Sequence, residues 1–299
     1  MAASTATTLA ADLQTYFSKR LLDINEKDQA LQTAAYKENI PSNASKTISF
    51  TQYSRLAVPG AVLTEGTTPT DTTVSNAAVT AVVDQWGAFV TLTDVAELTV
   101  KHPVIAELEL LLGEQANETI ETQINTVLVA GTTVQYAGGV ANRVALGAAN
   151  VMSTAELQKG LKTLRVNGAR PIDKNFVLFV DPSVEQDLLA DATFKAVQNF
   201  SPSSMEAGAI VGRWMGIEVR RSNVIPAIAS TTTVHTSYLC GRNAYAMTTL
   251  QNLETYVEAP GGVSDPLHQR RTIGWKVAFK SAILNQNFLT RIESGSAFN

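Results

Sequence analysis

The chain has 299 residues, enough for one large domain or two intertwined ones. Hydrophobic residues make up 45% and charged residues 17%, a low charged fraction that suits a surface covered by partners. The net charge of −4 argues against a free nucleic-acid binder, the single cysteine, Cys240, leaves no disulfide framework or thiolate metal site within one chain, and no apolar run reaches the roughly 20 residues that span a bilayer.

The N-terminal MAASTATTLA lacks the basic and apolar regions of a signal peptide, so the expected setting is a reducing cytoplasm. Residues 1–8 are small and polar and predict an arm. From Leu9 to Asn39, Leu13, Phe17, Leu21, Ile24, Leu31 and Ala35 recur at steps of three, four or seven. That spacing predicts an amphipathic helix ended by Pro41.

Residues 47–56, TISFTQYSRL, predict a strand rich in β-branched and aromatic types. Residues 57–77 follow, with almost no large apolar residue after Leu63. A second strand is predicted over 78–93, with Val82, Trp86, Val90 and Leu92 on one face and Gly87 at a bulge or bend. At about 3.3 Å per residue it reaches roughly 50 Å, whereas strands usually run for about five or six residues. Two long strands around a polar, Thr-rich tip predict a hairpin that leaves the body of the protein.

A helix is predicted next, from Pro103 to Ala130, with Gly131 beyond its end. Val104, Leu108, Leu111, Ile120, Ile124 and Val127 supply its apolar stripe, with Glu107, Glu114, Glu118 and Glu121 on other faces. Gly113 inside it costs about 1 kcal/mol relative to Ala and argues against a straight, unbroken rod. After a Gly- and Ala-rich passage (131–150), Ser153-Thr154-Ala155-Glu156 forms a capping-box pattern for a helix to Val166, with Gly168 past its end. FVLFV at 176–180 predicts a buried strand, and Asp181-Pro182 the start of another helix. Further strands are predicted over 216–221 and 234–247. The stretch 273–293 alternates, with Trp275, Val277, Phe279 and Ile283 on one face. The fold class is α+β, without an internal repeat.

Charge is unevenly spread. Residues 53–132 carry ten acids against two bases, Arg55 and Lys101, whereas residues 133–299 carry sixteen bases against twelve acids. Such asymmetry fits copies that meet through complementary patches, and it equally fits a solvated acidic helix face.

Motifs for catalysis are missing: no phosphate-binding Gly loop, no GxSxG and no HExxH. His102, His235 and His268 are far apart and show no metal-ligand spacing, and no cofactor is expected. Asp265, His268 and Arg270 are the one cluster that an enzyme reading could use, with a salt-bridged turn as the alternative. Arg213, Arg220 and Arg221 flank Trp214 in a pattern that mimics a nucleic-acid stacking patch, though arginines on opposite faces of a strand also serve structure. Glu65, Pro69 and Asp71 in the hairpin tip, together with Arg220 and Arg221, are the candidates for contact between copies.

Several phrases, in order, resemble the major capsid proteins of tailed double-stranded-DNA bacteriophages. They are PSNASKTISFTQYSRL, LTEGTTPTDTTVSNAAVTAVVDQWGAFVTLTD, DPSVEQDLLAD, VGRWMGIEVRRSNVIP, YLCGRNAYAM and DPLHQRRTIGWKVAFKSAILNQNFLTRIE, covering residues 40–293. The fold this implies is the shell fold shared with herpesvirus capsid floors and encapsulins. Carried onto this chain, it places an N-terminal arm over 1–45 and the extended β-hairpin, or extension loop, over 46–99. A peripheral domain with a long spine helix covers 100–149, an axial domain 150–261, and a return strand of the peripheral domain 262–299.

The function implied is self-assembly, as hexamers and pentamers, into the icosahedral capsid of a virion put together in the host cytoplasm. The shell encloses double-stranded DNA without sequence-specific binding and touches no membrane. The partners implied are further copies, a separate scaffold protein, a portal and decoration proteins. An encapsulin-type compartment shell is the alternative that keeps the fold. Some relatives link subunits covalently from a lysine in the extension loop. Residues 47–100 hold no lysine, so a non-covalent shell is expected here.

Overall fold

A computed structural model of the chain describes residues 30–41, 43, 45–60, 62–68, 71–99, 104–195, 210–258, 261 and 265–298. The expectations for the arm over 1–8, for most of the N-terminal helix, for His102, Pro103 and for Pro69 lie outside these residues.

What remains of the N-terminal expectation is corrected. Leu31–Ala34 form a single 3-10 turn, and Tyr36–Asn39 form strand β1 instead of more helix. Ala35 turns extended, and β1 then lies parallel to β11 (Tyr245–Glu258), with Tyr36 opposite Ala246. A sheet edge with free backbone groups outweighs the modest preference of this segment for helix.

The extended hairpin is present as β2 (Thr47–Tyr53) paired antiparallel with β3 (Asn76–Val82). The single 50 Å strand predicted over 78–93 is in fact two. Val83 interrupts it, and β4 (Asp84–Thr93) pairs with β12 (Arg270–Ile283), not with β2. Val83 is the pivot because its side chain is buried with Ile40 and Ala278, with Ile48 and Leu250 packed around them. Gly87 marks no bulge, since the register from Asp84 to Thr93 is continuous. It is needed because a Cβ there would meet the Trp275 carbonyl at 2.6 Å.

Helix α1 (Asp94–Thr99) leads to α2 (Val104–Val129), which is unbroken through Gly113 and about 39 Å long at 1.5 Å per residue. Its buried stripe is Leu112, Ala116, Ile120, Ile124 and Leu128. Leu111, placed in the core by the sequence, is exposed, and Glu121, placed on another face, is buried. The sequence holds two adjacent apolar stripes, and only the sheet beneath decides which one turns inward. A second inward column, Glu109, Asn117, Glu121 and Asn125, is polar.

Two sheets carry the body. The first runs β1-β11-β12-β4, with α2 across one face, where it covers Ile273, Trp275, Val277 and Phe279. The second runs β5-β13-β10-β6-β8-β7, where β5 is Val134–Tyr136, β6 Phe176–Val180, β7 Ile210–Trp214, β8 Ile217–Arg221, β10 Thr233–Cys240 and β13 Leu289–Ser294. A short β9 (Ile228–Ala229) pairs with β10. The stretch predicted as strand over 234–247 is thus split at Gly241–Ala244 between the two sheets. β12 and β13 likewise diverge, β12 to the first sheet and β13 to the second.

Helices α3 (Thr154–Val166) and α4 (Pro182–Ala190) pack on the second sheet through Leu157, Leu161, Leu164, Val184 and Leu188. The predicted capping box fails, because Ser153 makes no cap bond. Asp191 replaces it, accepting from Thr154 N at 2.9 Å and Oγ1 at 3.0 Å, while Glu156 accepts from Gln135 Nε2 and Gly138 N. Asp181 caps α4 as expected, accepting Val184 N at 3.1 Å.

A largely buried ion cluster ties the second sheet to α2. Glu293, fully buried, accepts from Arg143 Nε at 2.7 Å and Nη2 at 2.6 Å, and Arg291 Nε lies 3.0 Å away. Arg291 also donates to the Val129 carbonyl at the end of α2, satisfying a carbonyl the helix leaves open. Two arginines and one backbone carbonyl therefore tie β13, the 143–145 turn and α2 together.

Candidate intersubunit surfaces

The hairpin has almost nothing to lie on. Beyond Tyr53 the described residues of 54–75 form no helix or strand, and the bond from Ser54 N to the Ser75 carbonyl at 2.9 Å closes the loop. Leu56, Val58, Leu63 and Val74 are exposed, and Val62 is 94% exposed. Single exposed apolar residues are ordinary, but here five stand on one loop and no described residue covers them. Glu65 and Asp71 are exposed in the same loop. Gly66, in the left-handed region at φ 78°, makes the turn after Glu65.

The root of the hairpin is firm by contrast. Lys280 Nζ donates to Asp84 at 2.9 Å, and this bond and charge hold the Asp84 carboxyl below its usual range. Tyr36 and Phe50 meet edge to face at 6.4 Å between ring centres.

A second exposed surface lies on the face of the first sheet opposite α2, beyond the part that the Val83, Ile40 and Ala278 cluster covers. Gly87 and Gly274 leave a notch there, with a cavity of about 370 Å³ bordered by Trp86, Phe89, Tyr256, Glu258 and Lys276. A Cβ on Gly274 would lie 2.7 Å from Phe89 Cβ and 2.8 Å from the Ala88 carbonyl, so glycine lets β4 and β12 approach. Phe89 is 72% exposed, and Tyr256 is held in place by its hydroxyl bond to Glu254 at 2.7 Å. This patch was missed in the sequence. The available signal was Phe89, an aromatic residue out of phase with the Trp86–Val90 stripe.

The predicted arginines are largely engaged. Arg220 donates to Glu218 at 2.7 Å and to Thr33 Oγ1, and Arg221 lies 3.6 Å from Glu185 with its side chain about half exposed. Trp214 is buried and Arg213 pairs with Glu218 at 3.2 Å, so the stacking patch that the sequence mimics does not form.

The Asp265 cluster is a turn. Its carboxylate accepts Gln269 N at 3.0 Å and Arg270 N at 2.9 Å, and these N–H groups hold its carboxyl below the ordinary range. His268 adopts φ 55° and sits over Gly261. Asp181 and His235 form a buried pair at 2.5 Å inside the second sheet, also structural in its placement. Among the described residues no group of three or more His, Cys, Asp and Glu could hold a metal ion, and no helix is long and apolar enough to cross a membrane.

A family model described as phage capsid protein matches residues 60–290. No curated relative matches the chain by sequence. The capsid of Ralstonia phage GP4 superposes with a TM-score of 0.71 at 10% identity, covering 90% of this chain and 92% of that one. The capsid of the cyanophage P-SCSP1u gives 0.67 at 16% identity, covering 91% and 89%. A virus-like particle from Pyrococcus furiosus gives 0.57 at 10% identity, covering 94% and 99%. At these identities the likeness is one of fold.

Proposed function

The chain belongs to the phage capsid protein family, and from that premise we propose that its copies assemble as hexamers and pentamers into an icosahedral shell around double-stranded DNA. It is a structural protein of the capsid, and self-assembly is its activity. The observation that carries the finer reading is the hairpin, whose tip leaves Val62 and its apolar neighbours uncovered by the described residues. In a shell that patch lies across the adjacent copy, with Glu65, Pro69 and Asp71 at the contact and Arg221 at the rim of another. Many interfaces of modest area then add by multivalency, each weak enough to reopen during assembly.

The lack of lysine over 47–100 favours a non-covalent shell, and the acidic chain suits an interior that encloses DNA without gripping it. A separate scaffold protein, a portal and decoration proteins are the further partners proposed, with assembly in the host cytoplasm and maturation by subunit rotation as DNA enters. A compartment shell shares this fold, and the family match favours the virion.

Deletion of residues 64–74 tests the reading. The expected product is a folded chain that forms no closed particles by electron microscopy, while the full chain forms particles whose subunits run singly on a denaturing gel. Normal particles from the deletion variant overturn the role given to the tip.

A further inference from the structure

None of these surfaces uses Glu121, an acid 1% exposed on the inward side of α2. Its Oε2 accepts the N–H of Leu31 at 3.0 Å, and Oε1 accepts that of Gln32 at 3.4 Å. Tyr245 donates its hydroxyl to the Leu31 carbonyl, so both sides of one peptide are held. Ala30, Leu31, Gln32 and Ala34 are all buried there. The Leu31–Ala34 turn is thus a lid over a buried carboxyl, at the point where the N-terminal segment meets the body. A buried acid that is not matched by a cation is costly in its charged form, whatever hydrogen bonds it accepts. Among the described residues no Lys or Arg pairs with it, and Arg220, the nearby cation, is engaged with Glu218 and Thr33.

We infer that Glu121 is a protonation-controlled latch for this turn, which docks on α2 most tightly when the carboxyl carries its proton and loosens as the pH rises. The direction follows from which state covers the acid. With the turn docked, burial pushes the Glu121 carboxyl up to about 7, against the opposing pull of the two N–H groups. With the turn lifted, the carboxyl meets water and returns toward the ordinary value of about 4.3. The docked state therefore binds the proton more tightly. Docking is strongest below about pH 4 and is lost progressively as the pH rises through 7. The whole range corresponds to roughly two to three orders of magnitude in the opening equilibrium.

The groups facing this junction from other elements are Tyr245 on β11, Cys240 on β10 and Arg220 on β8. Burial pushes the Tyr245 hydroxyl and the Cys240 thiol upward, away from this range. Glu121 is left as the group among them that titrates between pH 5 and 8.

Hydrogen exchange of the unassembled full chain, read on peptides spanning 30–35 and corrected for intrinsic rates, tests the latch independently of shell formation. Protection in the wild type is expected to fall at least about tenfold between pH 5 and 8. Glu121→Gln, which cannot ionise, is expected to give a flat profile. Tyr245→Phe is expected to lower protection at every pH and keep the wild-type slope. A flat wild-type profile, or a slope retained in Glu121→Gln, overturns the latch. Should Glu121→Gln fail to fold, the wild-type profile decides alone.

Discussion

Two antiparallel pairs in this chain are built from similar residues and have opposite fates. β11 and β12 run fourteen residues each, and α2 lies across one face, burying Ile273, Trp275, Val277 and Phe279. β2 and β3 run seven residues each, equally rich in Thr, Val, Ala and aromatics, and neither face is covered beyond the root. Backbone pairing is continuous in β2–β3, whereas the register of β11–β12 shifts between Thr249 and Glu254. A two-stranded hairpin is marginal in water, so the difference shows that pairing shapes a strand while side-chain burial holds it. The first pair is stabilised within the chain, and the second is proposed to rest on a neighbouring copy.

The sharpest way to break this comparison is Trp275→Ala. The ring is buried under α2 and its Nε1 donates to Gln115 at 3.1 Å, so the unassembled chain should lose about 3–5 kcal/mol in denaturant unfolding. A loss under 1 kcal/mol would mean that α2 does not anchor this sheet. Gly274→Ala comes next. It forces a methyl against Phe89 and should cost about 1–3 kcal/mol, seen as a lower unfolding midpoint at unchanged slope. The smallest effect belongs to Phe50→Ala in the hairpin. Removing its contact with Tyr36 should cost the unassembled chain about 1 kcal/mol, and particle yield should suffer far more than stability. Equal losses in Trp275→Ala and Phe50→Ala would erase the distinction between the two pairs.

The hairpin was readable because its strands follow period two and its tip has almost no large apolar residue after Leu63. The bend at Val83 was not, since one buried valine among several gives no local sign. It becomes a pivot because Ile40 and Ala278 arrive from distant parts of the chain. Helix α3 shows the same limit at smaller scale. Ser153 and Glu156 have the spacing of a capping box, yet Asp191, thirty-seven residues away from Thr154, supplies the cap. Of the candidate contact residues, Glu65 and Asp71 are exposed as expected, whereas Arg220 is occupied by Glu218 and Thr33.

The sequence by itself determined the α+β class, the long helix, the helices starting at 154 and 182, and the presence of a hairpin that the described residues leave uncovered, because periodicity and turn chemistry act over a few residues. Only the tertiary structure decided which stripe of α2 faces inward, that Tyr36–Asn39 joins a sheet, and that Glu121 ends up buried beneath the Leu31–Ala34 turn. Those outcomes depend on what each face meets, and the partners come from residues 90 or more positions away, whose approach no local pattern records.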